Sequence, residues 1–333
     1  MRNILCNIGD EIVFNFAGKT KIVTFNELAE PETLSKIYRI QFSKEPKSNQ
    51  FDSIIQLLNE NREIDLRFYG NYSEYSIDWK SLISIENLQI DLWETKELKD
   101  LIYLTNLKKL GISKNVKSNV SLKIIENLQN LENLFVSISK DIDSIKYLEK
   151  LKFLSLREIK TKNVNFLSDL KNLNEVWFSL GSYQNIDGIK NLEKLEKLSI
   201  HQIRNFSNNE LNSILAKCFN LKSLELQNLK NLESLDFMQK LTKLQYIFLD
   251  GNKNIKTFRE VAKSKNLKTF STSNSRAEDK NLTFLQDVEN IFLGDSYPKN
   301  EIENFSKIFT GKNLWIYGKE IKGKLENNNP FRI

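Results

Sequence analysis

One short pattern of apolar residues constrains the fold of this 333-residue chain more than any other feature. The pattern is apolar-x-x-apolar-x-apolar, as in Leu131-Glu-Asn-Leu134-Phe-Val136. It recurs thirteen times between Ile37 and Ile316, at intervals that average about 23 residues. Such a period indicates a chain of stacked units, because a unit of this size cannot bury its apolar side alone.

Within each motif the last two apolar residues lie two positions apart, so both side chains face the same side of a β-strand. The residue between them and the residue before them face the opposite side. The rest of each repeat returns the chain to start the next strand parallel to the last. We place the last apolar residue of the thirteen motifs at Phe42, Leu66, Ile90, Ile112, Val136, Leu156, Phe178, Ile200, Leu226, Leu249, Thr272, Leu293 and Ile316.

The run Ile186-Asp-Gly-Ile189-Lys-Asn-Leu192-Glu-Lys-Leu195-Glu-Lys-Leu198-Ser-Ile200 resembles the repeat of leucine-rich-repeat proteins, closest to the bacterial internalin-like class of roughly 22-residue repeats. The resemblance covers roughly residues 34–318. It implies an α/β leucine-rich-repeat solenoid, or horseshoe. A parallel β-sheet would line its concave face, with short helices, 3₁₀ turns or extended segments on the convex face.

The two ends of such a stack expose unpaired strands that need covering. Residues 11–25, with Gly18 at a turn, predict a β-hairpin, and we assign residues 1–33 as an N-terminal capping hairpin region. About thirteen repeats occupy residues 34–318. Residues 319–333 form a C-terminal cap or tail, which either folds over the last strand or is disordered.

The segments that return the chain between strands vary. Ser207-Asn-Asn-Glu210 and Thr257-Phe-Arg-Glu260 are typical of capping boxes that open short helices. Pro298 and Gly311 bracket a further helix. The interval from Leu131 to Leu151 is too short for a comparable helix, which favours an extended or 3₁₀ return.

The resemblance also implies a ladder of asparagines in the turns that follow the strands. Asn115 and Asn252 occupy that position, and their side chains would satisfy backbone groups of neighbouring turns. Residues such as Ile159 and Leu229 do not fit the ladder. We therefore expect irregular turns after many of the strands.

Aromatic residues are frequent at the outward strand positions, where large aromatic side chains are normally scarce. Seven of the 26 positions are aromatic, against about three expected from the 11% aromatic content of the chain. Exposed aromatic clusters rimmed by polar groups indicate a protein interface. The alternative is that aromatic residues simply favour strands and that the tail covers Trp315 and Tyr317. The predicted partner-binding residues on the concave face are Phe135, Phe153, Arg157, Glu175, Trp177, His201, Glu225, Tyr246, Phe248, Asp250, Phe292, Trp315 and Tyr317.

Charge on the same face is mixed, with six acidic and five basic residues, although the whole chain carries a net charge of +6. A nucleic-acid groove needs clustered basic residues, so we expect no nucleic-acid binding. The outward carboxylates Glu63, Asp65 and Asp91 form either a weak cation site or a solvated acidic patch.

The sequence offers little material for catalysis. A single histidine, His201, and two cysteines, Cys6 and Cys218, exclude a four-ligand zinc site made of these residues, and the 11 glycines form no phosphate-binding loop. His201 lies on the predicted concave face, where an interface role is favoured over a general base. We expect no catalytic residues, no metal and no cofactor.

These observations predict a non-enzymatic scaffold that holds a protein partner on its concave face. We expect a bacterial cytoplasmic monomer, acting as an immunity protein against a toxin or as a regulatory adaptor. No apolar run is long enough to span a membrane, and Asp10 and Glu11 interrupt any signal sequence. The alternative is an internalin-like surface or secreted adhesion protein; an enzyme or a nucleic-acid binder is disfavoured.

Overall fold

The computed structural model describes residues 2–117, 119–203 and 205–323. The chain divides into two compact units, Met1–Ile159 and Lys160–Ile333. Each unit contains parallel strands joined by short helical or 3₁₀ returns over an apolar core. This architecture confirms the leucine-rich-repeat fold predicted from the motifs.

The first unit contains nine strands and three α-helices within its described residues. The strands are β1 (Ile4–Ile8), β2 (Ile12–Phe16), β3 (Lys19–Val23), β4 (Ile37–Phe42), β5 (Asp65–Gly70), β6 (Asn87–Leu92), β7 (Lys109–Ile112), β8 (Asn133–Val136) and β9 (Phe153–Arg157). The helices are α1 (Phe25–Ala29), α2 (Pro31–Leu34) and α3 (Ser48–Glu60). The 3₁₀ segments are Glu74–Ser76, Trp79–Leu82, Lys99–Tyr103, Lys123–Asn127 and Ile142–Tyr147.

The sheet of the first unit is parallel from β4 to β9, with each strand paired to the next in the chain. At its N-terminal side β1 pairs in parallel with β4. The hairpin β2–β3 then continues the sheet in antiparallel fashion from β1. Strand β1 has no counterpart among the sequence predictions, because Ile4–Ile8 stands outside the repeat pattern.

The second unit has the following elements within its described residues. Its strands are β10 (Lys160–Thr161), β11 (Glu175–Ser179), β12 (Ser182–Tyr183), β13 (Lys197–His201), β14 (Ser223–Gln227), β15 (Tyr246–Asp250), β16 (Thr269–Ser273), β17 (Asn290–Leu293), β18 (Asn313–Ile316) and β19 (Lys319–Lys322). Its helices are α4 (Asn208–Leu215) and α5 (Lys299–Ile308). The 3₁₀ segments are Asn165–Asp169, Asp187–Asn191, Asp236–Gln239, Arg259–Lys263 and Thr283–Leu285.

Strands β11 and β13–β18 form the parallel sheet of the second unit. Strand β19 closes it in antiparallel fashion against β18, and β10 pairs with β12 in a separate two-stranded sheet. Residues 324–333, the remainder of the predicted C-terminal cap, lie outside the described residues. The domain boundaries at 33/34 and 318/319 stay predictions.

The core of each unit consists of the motif residues stacked strand upon strand. In the first unit Leu110, Leu134 and Leu154 are neighbours in register on β7, β8 and β9, and all three are fully buried. Burial of a leucine side chain stabilises the fold by about 2 kcal/mol. Because each strand contributes two such residues, removal of one repeat would expose the apolar row of its neighbour.

The predicted register of β5 is wrong by two residues. Ile40 pairs with Leu66 and Phe42 pairs with Phe68, so the inward residues are Leu66 and Phe68 rather than Ile64 and Leu66. Alternation with a period of two cannot distinguish these registers, since all three side chains are apolar. The 13-residue helix α3 lengthens this repeat and shifts the strand.

The return segments follow the predictions in part. A capping box at Ser207 and Glu210 opens α4, Pro298 is the N-cap residue of α5, and the return after β8 is the 3₁₀ segment Ile142–Tyr147. The capping box predicted at Thr257 is wrong. The Oγ1 atom of Thr257 accepts a hydrogen bond from the Arg259 backbone, but Glu260 binds Gln239 and Lys263 instead of closing the box.

The turns after β11 and β13–β16 share one conformation, although irregular turns were expected. The residue that follows each of five successive strands has a positive φ: Leu180, Gln202, Asn228, Gly251 and Asn274. Because of this left-handed conformation, each of these strands ends at the position that is in register with the end of its neighbour. The backbone N–H of Asn228 thereby donates to the carbonyl of Asp250 at 2.7 Å, and that of Gly251 donates to Ser273 at 2.8 Å.

Only one of the two predicted ladder asparagines bonds to backbone. Asn252 is fully buried; it donates to the carbonyl of Leu226 at 2.7 Å and accepts from the N–H of Leu229 at 2.9 Å. The side chain of Asn115 instead donates to the Asp91 carboxylate at 2.7 Å. The predicted role of Asn115 is therefore wrong.

A second set of asparagines makes a ladder that the sequence analysis missed. Each member stands directly before the first leucine of a motif, and its side-chain amide donates to a carbonyl of the preceding repeat. The pairs are Asn106 with Ile83, Asn130 with Thr105, Asn220 with Glu193 and Asn266 with Thr242, at 2.6–2.9 Å. The recurring Asn-Leu dipeptide is the signal that could have revealed this ladder.

We expect substitution of the buried ladder asparagine to destabilise the second unit. Asn252→Ala leaves the Leu226 carbonyl and the Leu229 N–H buried without partners, which should cost about 3 kcal/mol of unfolding free energy. The control is Asn254→Ala, which removes an exposed hydrogen bond to Lys230 and should cost less than about 0.5 kcal/mol. Urea unfolding of both variants measures the difference, and equal midpoints would contradict the ladder role.

Candidate functional site

In each unit the outward residues of the parallel strands form a surface that we call the strand face of that unit. It has three rows: the residue before the two inward positions, the residue between them and the residue after them. In the first unit these rows are Arg39, Asp65, Asn87, Lys109, Asn133, Phe153; Gln41, Arg67, Gln89, Gly111, Phe135, Ser155; and Ser43, Tyr69, Asp91, Ser113, Ser137, Arg157. In the second unit they are Glu175, Lys197, Ser223, Tyr246, Thr269, Asn290, Asn313; Trp177, Ser199, Glu225, Phe248, Ser271, Phe292, Trp315; and Ser179, His201, Gln227, Asp250, Ser273, Gly294, Tyr317.

The strand face of the first unit is dominated by ion pairs. The Asp65 carboxylate lies 3.0 Å from Arg39 Nη2 and 3.0 Å from Lys109 Nζ. A second pair joins Arg67 to Asp91. Asp65 and Asp91 are only 9% and 4% exposed, so these pairs are largely removed from water.

Further polar groups complete this network. Asp91 also accepts hydrogen bonds from Ser113 and Asn115, and the Arg67 guanidinium donates to Gln41 at 3.2 Å. The guanidinium carbon lies 4.5 Å from the centre of the Tyr69 ring. Buried charges are tolerated only with such partners, so the network is part of the fold of the first unit.

Neither alternative drawn from the sequence for the three carboxylates holds. Glu63 precedes β5, stands outside the three rows and pairs with Arg2. Asp65 and Asp91 are buried in ion pairs, which leaves neither a solvated acidic patch nor an open cation site. The register error at β5 placed Asp65 one row away from Arg39 and Lys109, so the sequence analysis missed that part of the network.

The predicted binding residues of the first unit lie together at one end of its sheet. The rings of Phe135 and Phe153 are in contact, with centres 4.7 Å apart and planes inclined by 39°. Both side chains are half-buried. Arg157 is exposed, and its Nε lies 3.4 Å from the Glu158 carboxylate.

The second unit carries most of the predicted aromatic residues. Trp177 is 40% exposed and Tyr317 is 65% exposed. Tyr246, Phe248 and Trp315 are half-buried, with part of each ring facing solvent. These side chains stand on a backbone fixed by parallel pairing from β11 to β18, so an incoming partner would meet a preformed surface.

Phe292 is not exposed, which corrects the prediction made for it. Its side chain is only 6% exposed. The neighbours of Phe292 in register are Ser271 and Trp315, and on the far side of Ser271 stands Phe248. Ser271 is 1% exposed, so the flanking rings cover this small residue and thereby lose their own exposure.

Glu225 is the polar centre of the strand face in the second unit. The side chains of Ser199 and Gln227 lie near its carboxylate and favour the ionised form. Partial burial, followed by repulsion from Glu175, nevertheless raises the pKa of Glu225 above its ordinary value. Burial, with Glu225 close by, also raises the pKa of Tyr246 to about 12, so this phenol is neutral at physiological pH.

The remaining predicted polar residues surround Glu225. His201 is half-buried on β13 and is the register neighbour of Gln227, which is followed on the next strand by Asp250. Lys197 Nζ lies 3.6 Å from the Glu175 carboxylate. Glu175, His201, Glu225 and Asp250 thus lie on four successive strands of one sheet, β11, β13, β14 and β15.

The charges of the two strand faces differ in sign. The rows of the first unit hold four bases and two acids, and most of them are paired with one another. The rows of the second unit hold three acids, Glu175, Glu225 and Asp250, and one base, Lys197. The sequence predicted a near-neutral total charge for these rows, and that total does not show that the two units carry charges of opposite sign.

Groups that could act in catalysis are placed as follows. Burial raises the pKa of both the Cys6 and Cys218 thiols to about 12, so neither is a thiolate nucleophile at neutral pH. Among the described residues no three His, Cys, Asp or Glu side chains are grouped as metal ligands would be.

None of the helices in the described ranges is long and apolar enough to cross a membrane.

Comparisons with known proteins support the fold. No protein-family model matches the sequence, and no curated protein matches it either. Among solved structures, an internalin (inlF) from Listeria monocytogenes is similar with a TM-score of 0.56 and 17% sequence identity, over 88% of this chain and 82% of that one. An internalin C2 (inlC2) from the same organism gives a TM-score of 0.44 and 23% identity over 57% of this chain and 82% of that one. At these identities the first likeness supports the leucine-rich-repeat fold alone.

We expect Glu225→Gln to stabilise the protein at neutral pH. Because the folded-state pKa of Glu225 is raised, the carboxylate costs stability above that pKa, and the cost vanishes below the ordinary glutamate value of 4.5. The variant should therefore unfold at a higher temperature than the wild type at pH 7.5, and the difference should shrink toward pH 4. The control Glu193→Gln removes an exposed charge outside the strand face. A lower unfolding temperature for Glu225→Gln at pH 7.5 would contradict the assignment.

Loss of the Asp91 carboxylate should destabilise the first unit strongly. Asp91→Ala leaves the Arg67 guanidinium buried without its counter-charge, which should cost about 3 kcal/mol of unfolding free energy. Asp52→Ala, at an exposed position of α3, is the matched control and should change stability by less than about 0.5 kcal/mol. Urea denaturation followed by circular dichroism compares the two, and a neutral Asp91→Ala would show that the network contributes nothing.

Proposed function

We propose that this leucine-rich-repeat chain is a non-enzymatic scaffold that binds a protein partner through its strand face. The observation that carries the proposal is the partly exposed aromatic series of the second unit, Trp177, Tyr246, Phe248, Trp315 and Tyr317. Aromatic residues of this kind provide most of the binding energy at protein interfaces, because they bury a large area at a small entropic cost.

The setting of these rings supports a binding role rather than a purely structural one. The inward positions of the same strands already supply the core, for example Val176 and Phe178 on either side of Trp177, and both are fully buried. Trp177 is therefore not needed to fill the core. A large exposed tryptophan on a rigid strand has the character of an anchor residue that a partner covers.

We propose a separate set of contact residues on the strand face of the first unit, around Phe135, Phe153 and Arg157. The contact between the two phenylalanine rings forms a smaller apolar patch, and exposed Arg157 lies on the row beside it. We propose Phe135 and Phe153 as additional contact residues. Phe292 is removed from the proposed binding set, because its ring is already covered.

The cellular role is a finer proposal. We propose a cytoplasmic immunity protein or regulatory adaptor that acts as a monomer, with a secreted or surface adhesion role as the alternative. Fractionation of the source cells with an antibody to this chain distinguishes these settings: retention in the cytoplasm supports the first, and recovery from the surface or medium supports the second.

Replacing the exposed tryptophan should abolish partner binding without unfolding the protein. Trp177→Asp places a charge at the centre of the apolar contact, so affinity should fall about thirtyfold or more, while the unfolding free energy should change by less than about 1 kcal/mol. The measurement is quantitative capture from an extract of the source organism, followed by affinity determination with the purified partner.

Phe219→Asp is the matched control for this experiment. Phe219 is 57% exposed, but it lies in the turn before β14 and not on the strand face. The control should retain the partner. Equal binding by wild type and Trp177→Asp would overturn the proposed function, and unfolding of Trp177→Asp would show that the ring belongs to the core.

A further inference from the structure

Trp177, Ser199 and Glu225 stand side by side in the middle row of the strand face of the second unit, and we call the position over Ser199, between the other two, the slot. They occupy the same row on the adjacent strands β11, β13 and β14. Adjacent strands lie about 4.8 Å apart, so Trp177 and Glu225 stand about 9.6 Å apart at the backbone, with the small side chain of Ser199 between them. Ser199 is 8% exposed and forms the floor of the slot.

The dimensions of the slot suit a flat or slender group. A side chain placed above Ser199 would lie about one strand spacing from each wall, which is within the roughly 6 Å at which a cation is attracted by an aromatic ring. The comparable position over Ser271 is closed, because Phe248 and Phe292 cover that serine to 1% exposure.

The walls of the slot attract positive charge. Glu225 forms one wall, and Glu175, close enough to repel it, stands in the adjoining row. Lys197 is the one basic residue in the three rows of the second unit, and its Nζ already lies 3.6 Å from the Glu175 carboxylate. The three rows of this unit therefore retain an excess of negative charge around the slot.

Resting on the proposed function, we propose that the slot over Ser199 receives a lysine or arginine side chain of the partner protein. The cation stacks on the Trp177 ring and pairs with the Glu225 carboxylate. Glu175 adds attraction at longer range. The occupant is thus a basic segment of a protein, and arginine fits best, since its planar guanidinium can stack and donate two hydrogen bonds at once.

The first unit provides the contrast that favours this placement. Its carboxylates Asp65 and Asp91 are already neutralised by Arg39, Lys109 and Arg67. An incoming cation would have to displace one of these internal pairs. Glu225 makes no ion pair within the described residues, because the cation that acts on it, Lys197, is paired with Glu175 at 3.6 Å, so a partner cation can supply a direct counter-charge.

The test is a selection of random linear peptides, displayed on phage, against the full-length chain. The wild type and the control Glu193→Gln should enrich peptides with lysine or arginine at a fixed position. Glu225→Gln and Trp177→Ala should not, and the alanine variant removes the ring without adding a charge. Synthetic peptides with that residue as arginine or as its neutral isostere citrulline should then differ in affinity for the wild type by about tenfold.

The Glu225→Gln variant separates this inference from a folding defect, because it is expected to be more stable than the wild type at neutral pH. The arginine peptide should bind Glu225→Gln about tenfold more weakly, and the citrulline peptide should bind both proteins equally. Enrichment of acidic or neutral peptides, an unchanged affinity for Glu225→Gln, or no enrichment at all would overturn the inference.

Failure of the inference can be told apart from failure of the proposed function. If the partner from the extract is lost with Trp177→Asp but bound normally by Glu225→Gln, the scaffold function stands and the cationic slot is wrong. If neither variant affects capture of the partner, the binding surface itself is misplaced and both proposals fall.

Discussion

Both units depend on the stacking of apolar strand residues between successive repeats. A repeat of this length has one strand and one short return, and its two inward side chains are buried only when the next strand lies against them. Leu134 illustrates this, since its burial requires Leu110 on one side and Leu154 on the other. The same stacking fixes the outward residues in straight rows, so the functional surface is a consequence of core packing.

This dependence explains how much the sequence could predict. Alternating apolar positions located the strands, their parallel pairing and nearly all of the outward residues, because the side-chain period of a strand is fixed. The same period allowed the error at β5, where Ile64, Leu66 and Phe68 are all apolar. Only the length of α3 distinguishes the two registers, and helix length is not encoded by the strand motif.

Polar contacts were harder to predict than apolar ones. Asn252 could be assigned from its place in the repeat, whereas Asn115 occupies the same place and binds Asp91, because that carboxylate lies on the neighbouring strand. Exposure of aromatic rings was predictable for Trp177 but not for Phe292, whose burial depends on the small Ser271 beside it. In each case the contact or the burial of the side chain depends on a residue of the adjacent strand, and a single motif does not contain that residue.

The two strand faces differ in whether their buried carboxylates form ion pairs within the chain. On the strand face of the first unit both buried carboxylates, Asp65 and Asp91, have a cation from the same chain, and the pairs help to hold the strands together. In the second unit Glu225 makes no ion pair within the described residues, because Lys197 pairs with Glu175 instead. Burial and repulsion from Glu175 make its ionised form unfavourable despite the attraction of Lys197. Stability alone would favour glutamine at this position, since the amide could keep hydrogen bonds without the desolvated charge. A carboxylate that costs the folded protein stability can lower the free energy of a complex instead, because the cation it lacks can come from the partner.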